Sequence, residues 1–401
     1  MERLSIVVRR LRHQGGSRNE GFLQLFISKR LLHGLATAML GLFVPIFLYD
    51  ISGQQLWFVT SFYAVVGVLY VACLVPAMKL TNKVGFTRML GVAMVFSVAF
   101  NLLLLFMDSS NYLYLIAPAV ITLLCFRLFH WVSYHVNFAL LTSSGERGKS
   151  VSLMFAALAL MSMIGPILGG LIINAYGYEA MFGLAIVLLS LAGLSYLFVP
   201  TVEEEFTWSF TETVRQFISP SFRRTAYLEA AYGAEAIMNL VAWPLFIYVV
   251  LEGNLLEVGG VTALIVLVSI VVQLIVGKYL DNDKNNAITA LKRGSVFHAF
   301  GWLLKMFVFT SLHVFVVGLY HNITRIFVRT PYNTMLYDAS GDQGHYVDEF
   351  TVLREAAHHS GRVLALLAIT LLAFYVPLEI TFIIGVVASL LLNSLAAKQY
   401  N

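Results

Sequence analysis

Twelve mostly apolar stretches alternate with short polar connections along the 401 residues. They run over 27–49, 56–78, 88–107, 112–140, 150–174, 179–199, 226–251, 259–280, 292–311, 313–336, 352–375 and 377–397. Each approaches or exceeds the ~20 apolar residues with which a helix crosses the hydrocarbon core of a bilayer. The backbone must satisfy its own hydrogen bonds there, so apolar runs of this length predict helices. The expected class is an all-α integral membrane protein with twelve transmembrane helices.

Composition strengthens this: 59% of residues are hydrophobic, 12% are charged and the mean hydropathy is +0.80, far from soluble averages. The helices leave little chain for a soluble catalytic domain, and an enzyme is not expected. The first apolar run starts near Leu23 and continues past the length of a cleavable signal's core, so no such signal is read. Cys73 and Cys125 fall inside predicted helices and suggest no disulfide framework.

Charge sets the expected topology. Arg3, Arg9, Arg10, Arg12 and Arg18 precede the first span; Lys79, Lys83 and Arg88, then Arg147 and Lys149, then Arg215, Arg223 and Arg224, then Lys284, Lys292 and Arg293 occupy alternate connections. The intervening ones (50–55, 108–111, 175–178, 252–258, 312, 376) carry no Lys or Arg. The positive-inside rule then places both termini in the cytoplasm, in the plasma (inner) membrane. The net charge of +4 is a topological signal, and no nucleic-acid partner is expected. Within the basic N-terminal segment 1–26, residues 1–20 are expected either at the anionic inner surface or disordered.

The longest internal connection, 200–225, holds Glu203, Glu204, Glu205, Arg223 and Arg224 between Pro200 and Pro220. It divides the helices into six (27–199) and six (226–401). The link between the second and third spans reads Met78-Lys79-Leu80-Thr81-Asn82-Lys83-Val84-Gly85-Phe86-Thr87-Arg88; its counterpart reads Gly277-Lys278-Tyr279-Leu280-Asp281-Asn282-Asp283-Lys284. With these halves and links the chain resembles the major facilitator superfamily, whose loop reads roughly G-x-L-x-D-R-x-G-x-R-R. Leu80, Lys83, Gly85 and Arg88 match; Met78 and Asn82 replace the Gly and Asp; Gly277 and Asp281 match in the second copy, where Lys284 replaces the later Gly. Glu146-Arg147-Gly148-Lys149 adds to the likeness. The resemblance implies two six-helix bundles related by a pseudo-two-fold axis, a loop that latches the linker side of the bundle, and a central cavity lined by helices one, four, seven and ten. It also implies a monomeric functional unit.

In the fifth span, Gly165-Pro166-Ile167-Leu168-Gly169-Gly170 places Gly165 and Gly169 on one helix face, with Pro166 and Gly170 beside it. Small residues at this spacing let helices approach closely in lipid, and the proline can kink the helix. The fragment also looks like part of the family's antiporter motif, with Met161 where the fuller pattern has Gly. Close packing and a coupling role both stand as readings.

Ionisable residues at membrane depth are functional candidates, because inserting a charge costs ~2.5–3.5 kcal/mol. Arg127 and Arg325 occupy the middles of the fourth and tenth spans, at matching positions in the two halves; Arg329 lies one turn beyond Arg325; Glu235 lies in the seventh. The resemblance puts all four on the central path. A pair of guanidinium groups can grip a carboxylate or phosphate through paired hydrogen bonds; alternatively, Glu235 neutralises an arginine in a structural or gating pair. His130, Trp131, Tyr134 and His135 follow Arg127, while Tyr232, Asn239 and Trp243 share the seventh span with Glu235. Aromatics with polar tips suit a partly wet cavity. Glu235 is the leading candidate proton carrier, since apolar burial favours its neutral form and a nearby arginine its charged form; His33 and His130 are alternatives. Glu229 is expected to be solvated, Lys305 to snorkel to the outer interface, and the acidic run Asp338, Asp342, His345, Asp348 and Glu349 to be a solvated loop rather than a metal site. Arg354, Glu355, His358, His359 and Arg362 open the eleventh span at i,i+4 spacings, as a gate would.

These features suggest a secondary active transporter working by alternating access, proton-coupled and moving a small anionic or amphiphilic solute. Export of hydrophobic drugs or lipids, or a nontransporting membrane sensor, are the alternatives. Gly148-Lys149-Ser150 lacks the upstream glycines of an ATP-binding loop, and no cofactor is expected. Partners are the solute, a coupling ion and membrane lipids.

Overall fold

The computed structural model describes the backbone of residues 26, 31–141, 147–201, 205–280, 284–341 and 347–397, and side chains throughout these except 139–155, 274–288, 333–347 and 394–397. Asp281, Asp342, His345 and Glu146 lie outside the described residues, as does most of the N-terminal segment.

The described residues form helices and connections, with no strand. The first half contains α1 (His33–Ile51), α2 (Leu56–Val84), α3 (Phe86–Leu105) and α4 (Tyr112–Leu141). A helical run Arg147–Tyr196 is broken at Gly177 (φ 84°, ψ 174°), which makes it two spans, α5 (147–176) and α6 (178–196). A short helix, α7 (Phe210–Phe217), lies in the linker; the Ser209 side chain accepts a hydrogen bond from the Glu212 N–H and caps it.

The second half begins with α8, helical over Pro220–Ile237, wound as a π turn over Met238–Ala242 and helical again over Trp243–Val250. Pro244 lacks the N–H that a regular helix would use here, which favours the widened turn. Then follow α9 (Leu255–Leu280), α10 (Lys284–Lys305), α11 (Ser311–Gly341), α12 (Val347–Leu372) and, after a 3₁₀ turn Leu378–Phe382, α13 (Ile383–Ala397). The twelve spans are thus α1–α6 and α8–α13.

Seven of the helical runs are long and apolar enough to cross a membrane by length and composition alone, Gly177 dividing one of them. The remaining spans, α10 to α13, are charged or short. The described side chains of several of their ionisable residues point inward: His298, Lys305, His321 and His359 are each at most 2% exposed. Charge placed inside the protein keeps the lipid face apolar. At the end opposite the linker, Phe106, Tyr114, Tyr176, Phe307, Phe309 and Tyr375 are 66–85% exposed, the aromatic girdle of a membrane interface.

The pseudo-symmetry extends to turns. The connection after α1 uses left-handed conformations at Gly53 and Gln54, and the matching connection after α8 uses them at Glu252 and Gly253. The halves meet along α2 against α12, α5 against α9, and α1 against the end of α8. The glycine stripe of the fifth span mediates two contacts. A Cβ on Gly165 would sit 2.5 Å from that of Ala38 in α1, and one on Gly169 would sit 2.6 Å from the Phe43 ring. Gly170 lies against Leu255, where a Cβ would come within 2.8 Å of its carbonyl oxygen. Pro166 and Gly170 abut Gly259, so the motif joins the halves as well as α5 to α1. The close-packing reading of this stripe therefore has direct contacts behind it.

Candidate functional site

Glu235, just ahead of the π turn of α8, and Asn239, within it, face α10 and α11. Glu235, 2% exposed, is at the centre. Its Oε1 accepts from the Asn239 side-chain amide, lies 3.0 Å from His298 Nε2 on α10, and 3.9 Å from both His321 Nε2 and Arg325 Nε on α11. His298 Nδ1 is 3.2 Å from Thr324 Oγ1. Lys305 donates to Asn239 Oδ1 at 3.5 Å, and its ammonium lies 4.2 Å from the Trp243 ring centroid and 3.8 Å from that of Trp302. Three helices are thereby tied to one carboxylate.

Two expectations change here. Lys305 does not snorkel: it is fully buried (0% exposed), held by two indole faces and the Asn239 carbonyl. His298 and His321, unread in the sequence, complete the cluster. Glu235, His298 and His321 place ligand-type atoms within 4.8 Å of one another, a spacing that could hold a metal ion. The electrostatics oppose it, because Arg325 is 3.9 Å from the same carboxylate oxygen and Lys305 bonds to the adjoining Asn239. A divalent cation would meet the fixed guanidinium charge of Arg325, so the donor set fits a metal poorly.

Nearly two turns nearer the linker, Glu229 departs from its expected solvation. It is 2% exposed, accepts from Arg354 Nε at 2.8 Å and lies 3.5 Å from His358 Nδ1. Gly233 and Gly361 allow this by bringing α8 and α12 into backbone contact: a Cβ on Gly361 would fall 2.5 Å from the Ala230 carbonyl carbon. Tyr232 stacks on Tyr332 at 4.5 Å.

The fourth span faces the other half. Arg127 lies over the Tyr63 ring at 5.7 Å, and its charged neighbour is Arg362 of α12. Arg325 has the Glu235 carboxylate beside it, as in the pairing alternative above; Arg329, one turn on, is half-buried. His33 and His130 are buried together in the first half, rings 4.6 Å apart and perpendicular. His130 also stacks on Phe126 and Tyr134; Trp131 packs on His135.

Polar contacts bridge the halves at both ends. At the linker end, Tyr70 of α2 donates to Glu355 of α12 at 3.2 Å and stacks on His359 at 3.8 Å. Asn82 caps no helix. Its amide donates to the Phe206 carbonyl at 2.8 Å and its carbonyl accepts from the Phe206 N–H at 3.0 Å, while Lys79 reaches the Phe206 and Thr207 carbonyls. Thr207 then donates through N–H and hydroxyl to Glu349 of α12, at 3.0 and 2.6 Å. The loop thus holds the linker, and the linker holds the second half. Gly85, with φ of 92°, makes the turn that an L side chain would strain; Lys83 and Arg88 are exposed.

Asp348 and Glu349 are at most 1% exposed, not parts of a solvated loop. They stand on the first turn of α12, ahead of the apolar span. Burial, then the adjoining Glu349 carboxyl, push Asp348 up to about 8. Burial also raises Glu349, but the adjoining Asp348 carboxyl and the hydrogen bonds from Thr207 outweigh it and hold that carboxyl below its usual range. At the opposite end, Asp50 accepts from Tyr178 at 3.3 Å, and Tyr248 of the other half lies within its electrostatic reach.

The fold recurs among solved structures. The human organic anion transporter MFSD10 (TETRAN) superposes with a TM-score of 0.66 at 14% identity, over 94% of this chain and 99% of that one. A POT peptide transporter in complex with sulfate gives 0.69 at 13%, covering 94% of each. A POT family transporter in complex with 5-aminolevulinic acid gives 0.70 at 12%, over 93% and 94%. No curated protein sequence matches the chain. The family model of the Major Facilitator Superfamily matches residues 30–358. Twelve spans in two pseudo-symmetric bundles, charges turned inward and a match over most of the length agree: the chain is a membrane transporter of the major facilitator superfamily.

Proposed function

We propose that the protein moves a small anionic or amphiphilic organic solute by alternating access, coupled to protons. The observation that carries this is the Glu235 cluster: one buried carboxylate ties α8, α10 and α11 together through Asn239, His298 and Arg325. Protonating Glu235 weakens its grip on Arg325, and a change of grip between helices is what a coupled transporter needs. Fixed charge supports the substrate class. Arg127, Arg325 and Arg362 face Glu235 and Glu355, while Glu229 and Arg354 neutralise each other. An interior with surplus positive charge favours an anionic guest. The human neighbour is named for organic anions, but at 14% identity that likeness shows the fold, and the charges carry the argument.

In this reading Arg127 and Arg325 contact substrate with help from His130, Trp131, Tyr134, Tyr232, Asn239 and Trp243. Glu235 carries the proton, with His33 as a second candidate. Asn82, Lys83, Gly85, Arg88, Asp281, Arg329, Arg354 and Glu355 act in gating, and the glycine stripe lets α5 slide on α1 and α9. The linker end is cytoplasmic. The test is uptake of labelled carboxylates, phosphates, organic cations and lipids into proteoliposomes, with and without a pH gradient. Gradient-driven accumulation of an anion, abolished in Glu235→Gln while exchange persists, supports the reading. Uptake confined to cations or lipids overturns it in favour of drug or lipid export.

A further inference from the structure

Where the first half meets α12, the structure brings together two arginines that no carboxylate fully neutralises. Arg127 comes from α4 and Arg362 from α12, and both lie within electrostatic reach of each other, of Tyr70 and of His359. Glu355 is the carboxylate named beside them, and it is engaged by the Tyr70 hydroxyl at 3.2 Å and by His359 at 3.8 Å. Glu355, His359 and Arg362 share one face of α12 at i, i+4 and i+7. The Arg362 Nε is buried without a hydrogen-bond partner.

The surroundings are fixed rather than pliable. Gly67 presses on Val363, next to Arg362, so closely that a Cβ would fall 2.7 Å from its Cγ2. Thr60 and Thr370 exchange a 2.7 Å hydrogen bond two turns further along the same seam. The Tyr63 ring lies under Arg127, and Phe126 precedes it on α4. Two guanidinium groups against one carboxylate leave a single positive charge, beside aromatic faces.

We infer that Arg127 and Arg362 form a two-point site across the halves for an organic monoanion, its carboxylate or sulfonate head between the guanidinium groups and its apolar body on the Tyr63 side. This deepens the proposed function and rests on it. It gives Arg127 a second partner for the anion, one less neutralised than Arg325, which already has the Glu235 carboxylate at 3.9 Å. It also gives binding a mechanical consequence: the anion contacts both halves and holds α4 to α12 until it leaves.

The test uses the full chain in detergent, with benzoate as probe and phthalate, benzamide and benzylammonium as controls, read by thermal shift and calorimetry. Benzoate is expected to bind and raise the melting temperature, with phthalate weaker and benzamide inactive. Each of Arg127→Gln and Arg362→Gln should weaken benzoate about ten- to a hundredfold, the loss of a charge-assisted hydrogen bond, whereas Arg223→Gln, on the exposed linker side, leaves it within about twofold. Arg362→Lys keeps the charge but not the fork, and should lose at least part of the affinity while melting like the wild type without ligand. Benzoate binding lost in Arg325→Gln but kept in Arg362→Gln overturns this site and leaves the anion reading standing. Binding of benzylammonium alone, or of none of the anions, overturns both.

Discussion

Replacing Glu229 by glutamine should be among the most damaging isosteric changes in the chain. Its carboxylate is 3% exposed and meets Arg354 Nε at 2.8 Å, with His358 at 3.5 Å on the other oxygen. An exposed pair would contribute about 0–1 kcal/mol, but breaking a buried pair leaves an uncompensated charge, at about 3–5 kcal/mol. The Arg354 side chain is 15% exposed, so water recovers part of its solvation and the expected loss is about 3 kcal/mol. The pair of substitutions Glu229→Leu with Arg354→Met removes both charges and should be neutral or stabilising. The assay is reversible unfolding in mixed micelles by tryptophan fluorescence, for wild type, the two single changes and the double, closed as a thermodynamic cycle. Single losses below about 1 kcal/mol that simply add in the double would refute the argument, because they would describe a solvated surface pair.

Three other outcomes follow from the geometry. The folded pKa of Asp348, about 8 against ~4 for a free carboxyl, means the folded state holds a proton that the unfolded chain releases. Its contribution is complete below pH ~4 and is lost as pH rises through 8, so melting temperature should fall between pH 6 and 9 less steeply in Asp348→Asn than in wild type; identical profiles would show that Asp348 does not titrate there. Asn82→Ala removes two hydrogen bonds to the Phe206 backbone, each about 0.5–1.5 kcal/mol, and should speed proteolysis near 205–209 severalfold; an unchanged rate would contradict the latch. Gly361→Ala places a methyl against the Ala230 carbonyl and should lower the folded yield by separating α8 from α12, whereas Gly183→Ala, with open space around it, should not.

Hydropathy made the twelve spans legible because lipid imposes one requirement on every crossing helix, and the structure moved their ends by a few residues. It extended α2 to Val84 and began α8 at Pro220, since helices continue past the apolar core. Gly177 was readable as a break between two apolar runs, and Arg325 with Glu235 as a pairing alternative. Lys305, Glu229 and the Asp348–Glu349 pair were misplaced for one reason: a charge near a helix end was read as solvated, when a partner from another helix covers it. His298, Trp302 and Lys305 at i, i+4, i+7 on α10, with His321, Thr324 and Arg325 on α11, do carry a one-face signal, which polarity alone obscured. The Asn82 contact to Phe206 had no such signal, because it joins residues 124 apart in sequence. Ser209-Phe210-Thr211-Glu212 is a helix-start pattern that the hydropathy reading passed over, and α7 begins there.

The central claim is that one buried carboxylate couples a proton to an anion. It is tested most directly by internal pH in pyranine-loaded proteoliposomes when organic anions are added outside, with membrane potential clamped. Wild type should acidify or alkalinise the lumen in step with transport of the anion that binds, and Glu235→Gln should move that anion by exchange with no pH change. Transport with no proton movement in wild type, or an unchanged proton signal in Glu235→Gln, would contradict the account.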